Sequence, residues 1–443
     1  MKIPWITSMP DHWEVHRAKN LFIKQNRDIR DKDDVVTCFR DGMVTLRKNR
    51  RTTGFTESTQ WSGYQGIRKG DLVIHVMDAF AGAIGVSDSD GKSTPVYNVC
   101  TPKIELNNYY YAYLLREMAR AGFIQSLYRG IRERSSDFRF EVFAGLYLPL
   151  PPRDEQDQIV RYLDWKVSQI NRLINAKRRQ IGLLQEQKRA VINGKITKHG
   201  EKWENISVKR LITLLTDYTA NGSFADLAKN VNYLDNGYAR LIRLTDLRVN
   251  MENTGVYISE SAYEYLGKSK LFGGEFLIAN VGAYSGFACK MPNVDFKASL
   301  APNMMMARFN DNIADINFII YAFNSPYIQF QLKVKADNTC AQPKLNKDDF
   351  KTVKILLPPL PEQRTIVTYL DKQCASIDKI IAKLNEEIAL FAEYRTRLIS
   401  DVVTGKLDVR GVVVPEFEAV EDVVGDDLEV EEDIAGIENI QQI

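Results

Sequence analysis

Residues 155–174 read EQDQIVRYLDWKVSQINRLI, and residues 362–381 read EQRTIVTYLDKQCASIDKII, at an offset of 207. Nine of the twenty positions are identical: Glu155, Gln156, Ile159, Val160, Tyr162, Leu163, Asp164, Ile170 and Ile174 recur as Glu362, Gln363, Ile366, Val367, Tyr369, Leu370, Asp371, Ile377 and Ile381. A repeat at fixed offset means one structural unit built twice. Outside this segment, Trp13 and Leu21 answer to Trp203 and Leu211 at an offset of 190. GDLVI at 70–74, with Gly82 behind it, answers to GEFLI at 274–278, with Gly286 behind it, at an offset of 204. The expected plan is globule, long helix, globule, long helix: an α+β chain with an internal pseudo-twofold repeat.

Both helices begin after a proline-rich break, LPLPPRDEQ at 148–156 and LLPPLPEQ at 356–363. Proline has no N–H and suits only the first helical turn, so each run stops a strand and starts a helix. Asp154, Glu155 and Glu362 then complement the helix dipole. Behind them runs an apolar seam: Ile159, Leu163, Val167, Ile170, Ile174, Ile181, Leu184 and Val191 in the first copy. The second copy has Ile366, Leu370, Cys374, Ile377, Ile381, Leu384, Ile388, Phe391 and Leu398. Alternating spacings of four and three mark helices packed along their length as a coiled coil. Lys177 and Lys188 interrupt the first seam and Arg395 the second. The expected stops are Gly194 and Gly405. A helix of about 40 residues, roughly 60 Å long, needs a partner, and its twin is nearest. Periodicity leaves two uses open: a tether between domains, or a ruler that sets the distance between two DNA-reading domains.

The length favours two to three domains, and 44% hydrophobic with 26% charged residues is ordinary globular usage. No apolar run approaches the ~18 residues of a membrane span, and MKIPWITSMPDHWEVHR has no apolar signal core. The five cysteines are scattered, with no CxxC pair. That reads as free thiols in a reducing cytoplasm, with no metal site. From Val412 onward there are eleven acidic residues and no Lys or Arg. Without them residues 1–411 carry +13, against +2 for the whole chain. A basic body with an acidic, disordered tail at 412–443 suits a binder of polyanions.

The globules at 1–150 and 200–356 share a Trp near the start, a strand opened by Gly-acid, and a basic, polar segment before the exit strand. GIRKGDLVIHVMDAFAGAIGV predicts a curved antiparallel strand pair. Helical periods cover YYYAYLLREMARAGFIQSLY and INFIIYAFNSPYIQFQL, so each globule is expected to be a mixed α/β domain. Base readout needs forked donors or amides, and phosphate contacts need Lys, Arg and hydroxyls. Candidates in the first globule are Arg47, Lys48, Arg50, Arg51, Arg129, Arg132, Arg134 and Arg139. In the second they are Arg240, Arg243, Thr245, Arg248, Asn280, Tyr284, Ser285, Lys333, Lys335, Gln342 and Lys344.

Catalytic motifs are not found. GVSDSDGKST at 85–94 encloses five residues between its glycines where a phosphate loop needs four, and reads as a hairpin turn. The four histidines lack metal-ligand spacing. There is no nucleophile elbow, HExxH, GxGxxG, or Asn/Asp-Pro-Pro-aromatic tetrapeptide of adenine methyltransferases. No catalytic or metal site is expected.

PPxxEQxxIVxYLD opening each repeated helix, GDLVI…GAIG in the first globule and GEFLIANVGAYSG in the second resemble the specificity subunit of type I restriction–modification systems. The resemblance spans residues 1–411. It implies two target-recognition domains, 1–150 and 200–356, each reading half of a split DNA sequence. Two long antiparallel spacer helices, 151–199 and 357–411, would separate them. It implies no catalysis by this chain and no cofactor bound to it. Two modification (methyltransferase) subunits using S-adenosylmethionine, and restriction subunits using ATP and Mg, would be recruited as partners on double-stranded DNA. GIRERSSDFRFEVF and AQPKLNKDDF differ, so the two half-sites are expected to be unlike. Two other classes remain open: a methyltransferase or nuclease with an unrecognised site, and a coiled-coil scaffold joining two protein-binding domains.

Overall fold

The computed structural model describes residues 3–50, 63–127, 138–198, 203–249, 251–282, 284–336 and 344–421. The chain forms two compact units, Met1–Arg178 with Asn385–Ile443, and Arg179–Leu384. Each unit contains one globule, the start of one long helix and the end of the other.

Strands of the first unit are β1 (Glu14–Arg17), β2 (Phe22–Lys24), β3 (Val36–Cys38), β4 (Val44–Leu46), β5 (Gln65–Ile67), β6 (Leu72–His75), β7 (Ile84–Val86), β8 (Gly91–Ser93), β9 (Tyr97–Pro102) and β10 (Tyr147–Leu150). β1 pairs antiparallel with β10, Glu14 opposite Leu150, which brings the start of the globule to the base of the helix leaving it. The main sheet runs β2–β9–β6–β7, antiparallel throughout. The curved strand pair expected around GDLVI is β6 with β7. Gly82 turns the chain between them in the left-handed region, φ +92°, where a side chain is strained. Gly85 has no room for one: a Cβ there would stand 1.9 Å from the Gly42 carbonyl oxygen. Two small pairs, β3–β4 and β5–β8, complete the strands. The segment around Asp88–Gly91 is therefore a link between sheets and not the expected hairpin, since β7 and β8 pair with β6 and β5.

The second unit contributes β11 (Glu204–Ser207), β12 (Ile212–Asp217), β13 (Ala239–Ile242), β14 (Val256–Ile258), β15 (Lys270–Leu271), β16 (Phe276–Ala279), β17 (Ala288–Lys290), β18 (Lys297–Leu300), β19 (Met304–Phe309) and β20 (Lys354–Leu357). β11 with β20 repeats β1 with β10, and β12–β19–β16–β17 repeats the first unit's main sheet strand for strand. Gly286 repeats Gly82, at φ +95°. The rest is not repeated. Here a mixed sheet, β14–β13–β18–β15 with β13 parallel to β18, stands in place of the two small pairs. Both expected helical stretches form: Asn108–Arg120 in the first unit, and Ile316–Phe323 with Pro326–Lys335 in the second, broken at Ser325-Pro326.

The two long helices are Arg153–Ile196 and Leu360–Val403, each 44 residues. The first does not stop at Gly194. It continues because Ile192 and Ile196 are buried in the second unit's core, and that burial exceeds the ~1 kcal/mol a helical glycine costs. The second ends as expected, with Gly405 left-handed and donating to the Val402 carbonyl. Within each unit the two helical segments run antiparallel. In the first, Arg395 pairs with Asn171 and Glu387 with Lys177. In the second, Asp378 pairs with Lys188 at 2.7 Å and Tyr369 lies under Lys195. The charges that interrupt the seam are thus its cross-helix partners. Ile159, Leu163, Ile170, Ile174, Ile366, Leu370, Cys374 and Ile377 are buried; Val167, Ile181, Leu184 and Ile381 are half-buried.

Residues 412–421, expected to begin a disordered tail, instead form a strap along the first long helix. Gln158 donates to the carbonyls of Val409 and Val412, Asn171 to that of Val420 and Asn175 to that of Glu421. The Val420 amide donates to Ser168. Val412 and Val414 pack on the core, so apolar burial and backbone hydrogen bonds outweigh the acidity of the segment. No helix among the described residues is long and apolar enough to cross a membrane.

Candidate nucleic-acid interface

A recognition surface needs a rigid mount, and the repeated motif supplies it in both units. Gln156 is fully buried; its amide donates to the Pro151 carbonyl and its Oε1 accepts from the Asn107 amide, at the N-cap of the Asn108–Arg120 helix. Gln363 does the same for Pro358 and for Asp315, the N-cap of the Ile316–Phe323 helix. Eight residues further on, Asp164 accepts from the Tyr113 hydroxyl at 2.8 Å and Asp371 from Tyr321 at 2.7 Å. Burial raises the Asp164 pKa, and the Tyr113 hydrogen bond opposes that rise. Glu362 takes the Trp203 indole N–H at 3.0 Å, whereas Glu155 turns to His12 at 2.8 Å. The Trp13 indole N–H is then left without a partner beside a cavity of about 290 Å³. The motif read from sequence as a helix seam is also the joint that fixes each globule to its helix. The signal was present: a glutamine and an aspartate kept in both copies of an apolar repeat.

A second repeated feature lies at the β6–β7 and β16–β17 turns. The Val76 amide donates to the Val96 carbonyl, and Phe138 donates to Val76. Likewise the Asn280 amide donates to Asn303, and Leu345 to Asn280. In each unit the segment before the exit strand is thus pinned to the same turn. What the turns present differs. The first carries Asp78, paired with Arg40 at 3.1 Å and beside His75, whose pKa burial lowers. The second carries Asn280, Tyr284 and Ser285, with Lys344 bridged to Val281. The Asn280 side-chain oxygen is buried without a partner.

Arg51, Arg129, Arg132, Arg134 and Gln342 lie outside the described residues. In the first unit Lys48 pairs with Asp34 at 2.6 Å, and Arg50 pairs with Asp41 while stacking on Phe39. Arg47 reaches Thr37 at 3.4 Å, and Arg139 is exposed at the start of the Phe140–Gly145 helix. Exposed pairs of this kind are worth little and can exchange an acid for a phosphate.

In the second unit the basic cluster separates into two layers. Arg240 is buried, donating to Asp246, to the Met251 carbonyl and to Asn253. Arg243 donates to the same Asp246 and to the Thr254 carbonyl. Burial pushes the Asp246 carboxyl up, but hydrogen bonds from the Arg243 side chain and amide and from Arg240 outweigh it and hold its pKa below the usual range. Arg240 and Arg243 thus spend side-chain donors within the unit, on Asp246 and on neighbouring carbonyls. The network caps the Leu244–Arg248 helix, from which Thr245 and Arg248 project, exposed. Arg248 stacks on Tyr284, 4.2 Å from the ring centre. Lys333 and Lys335 lie at the end of the Pro326–Lys335 helix, whose Gln329 holds the Gly286 carbonyl behind the same turn. Asp246, which organises this cluster, was missed in the sequence although it lies three residues from Arg243. Among the thiols, burial pushes Cys100 and Cys289 up to about 12, so neither is a nucleophile at neutral pH.

The two globules thus share a main sheet and a joint to a long helix and differ in their second sheets. Residues 200–390 match the family of the type I restriction modification DNA specificity domain. The EcoKI specificity subunit of Escherichia coli K12 is 24% identical over 281 residues, covering 60% of this chain and 58% of that protein. The chain thus spans under two thirds of that relative. The putative MjaX specificity subunit of Methanocaldococcus jannaschii is 22% identical over 439 residues, covering 91% of this chain and 96% of that one. A chain solved in a study of assembly and conformational transition of the type I R-M system superposes with a TM-score of 0.68, at 14% identity, covering 90% of this chain and all of that one. The chain is thus similar in sequence to type I restriction enzyme specificity subunits, and residues 200–390 carry the DNA specificity domain match.

Proposed function

We propose that this chain is the DNA sequence-specificity subunit of a type I restriction–modification enzyme. Each globule reads one half of a bipartite, asymmetric target, and the paired helices set the spacer between halves. The chain itself performs no catalysis. It directs two modification subunits, which use S-adenosylmethionine to methylate adenine, and restriction subunits dependent on ATP and Mg, in the cytoplasm.

The observation that carries this reading is the combination of an identical joint with a divergent second sheet. Gln156 and Gln363 mount the two globules in the same way, while β3–β4 and β5–β8 in one unit answer to a four-stranded mixed sheet in the other. Two recognition surfaces of different chemistry on one repeated mount suit an asymmetric target. Reading a few base pairs with each globule gives only ~1–3 kcal/mol per pair, and joining two such sites makes the second engagement intramolecular.

The test is single-molecule methylome sequencing of a methylation-free host expressing the chain with and without its neighbouring modification subunit. A split, asymmetric methyladenine motif present only with both is the expected result. A motif with this chain alone would make it a methyltransferase. No motif in either strain, with no salt-dependent duplex binding by the purified complex, would favour a scaffold.

A further inference from the structure

We infer that Arg248 is the side chain through which the second unit reads a guanine, an assignment that rests on the specificity role proposed above. Of the basic residues around β13, only some have donors to offer. Arg240 and Arg243 have committed theirs to Asp246 and to neighbouring carbonyls. Arg248 is exposed, and among the described residues no carboxylate stands within ion-pair distance of it. The first unit differs, since Arg40, Lys48 and Arg50 there face Asp78, Asp34 and Asp41.

Arg248 is held by other means. Its guanidinium lies over the Tyr284 ring, itself 43% exposed. The guanidinium carbon is 4.2 Å from the ring centre, and the N–H fork makes no hydrogen bond to a described residue, so it has donors for O6 and N7 of guanine. The stack also restricts a long side chain before binding, which lowers the ordering cost. The helix carrying Arg248 is anchored by Asp246, which is fully buried between two arginines. Thr245 lies three residues earlier on the same exposed face.

The test is the methylome experiment on the chain co-expressed with its modification subunit, comparing wild type, Arg248→Ala, Arg248→Lys and Tyr284→Phe. In Arg248→Ala one guanine of one half-site is expected to become degenerate, preference falling roughly ten- to hundredfold, with the other half-site unchanged. Arg248→Lys is expected to lose the same preference, because an ammonium has no fork. Tyr284→Phe keeps the ring and is expected to keep the motif. An unchanged motif in Arg248→Ala overturns the assignment. So does a uniform fall in methylation restored by Arg248→Lys, the behaviour of a phosphate contact. Absence of a motif with the wild-type chain overturns the specificity role itself, and that outcome is recognised because it precedes any substitution.

Discussion

Gln156 and Gln363 are side chains with no exposure and four hydrogen-bonding positions to satisfy. Each ties a helix N-cap amide to a proline carbonyl at the base of the next long helix. Substituting leucine keeps the bulk but strands the amide and the carbonyl in a dry site, at about 2 kcal/mol per substitution. Thermal or urea denaturation of Gln156→Leu and Gln363→Leu is expected to show that loss; wild-type midpoints for both would refute the joint. The residue types were visible in the repeat, but their partners were not. The Gln156 partner Asn107 is 49 positions away, and no local periodicity points to it. The arginine clusters illustrate the same limit. Sequence marks Arg240, Arg243 and Arg248 as one basic run, and only packing sends two to Asp246 and leaves the third on Tyr284.

At the scale of elements, the seam was readable because helical period is local: a side chain every three to four residues faces the same way. Lys177, Lys188 and Arg395 looked like faults in that seam, yet each meets a polar partner on the opposing helix. The strap at 412–421 was the element composition misled about. Acidic content argues for solvation, but Val412 and Val414 alternate onto the core while backbone groups are taken by Gln158, Ser168, Asn171 and Asn175. Truncation after Gly411 removes these contacts and is expected to lower the Tm by roughly 2–4 °C per kcal/mol lost in a unit of this size. An unchanged thermogram would show that the strap contributes nothing to stability.

At the scale of the whole molecule, each long helix passes from one unit to the other near Arg178–Arg179 or Leu384–Asn385. If the helices set the spacer, adding four residues to each at these points lengthens both by about one turn, ~6 Å. That corresponds to about two base pairs of duplex. Insertions after Gln180 and after Leu384 together are expected to lengthen the methylated motif's spacer and leave both half-sites as they were. Methylome sequencing that finds the original spacer would remove the ruler from the proposed function.

The sequence by itself determined the doubling of the chain, the two long helices and their seam, and the strands around GDLVI and GEFLI. These follow from identity at fixed offset and from period, which are properties of neighbouring residues. Tertiary structure alone decided that Gly194 lies inside a helix and that residues 412–421 bind one. It also decided that Gln156 and Gln363 are joints, and that Arg248 keeps its donors where Arg240 and Arg243 do not. Each of these depends on which groups meet after folding has removed them from water. A buried donor must find an acceptor, and an exposed one need not.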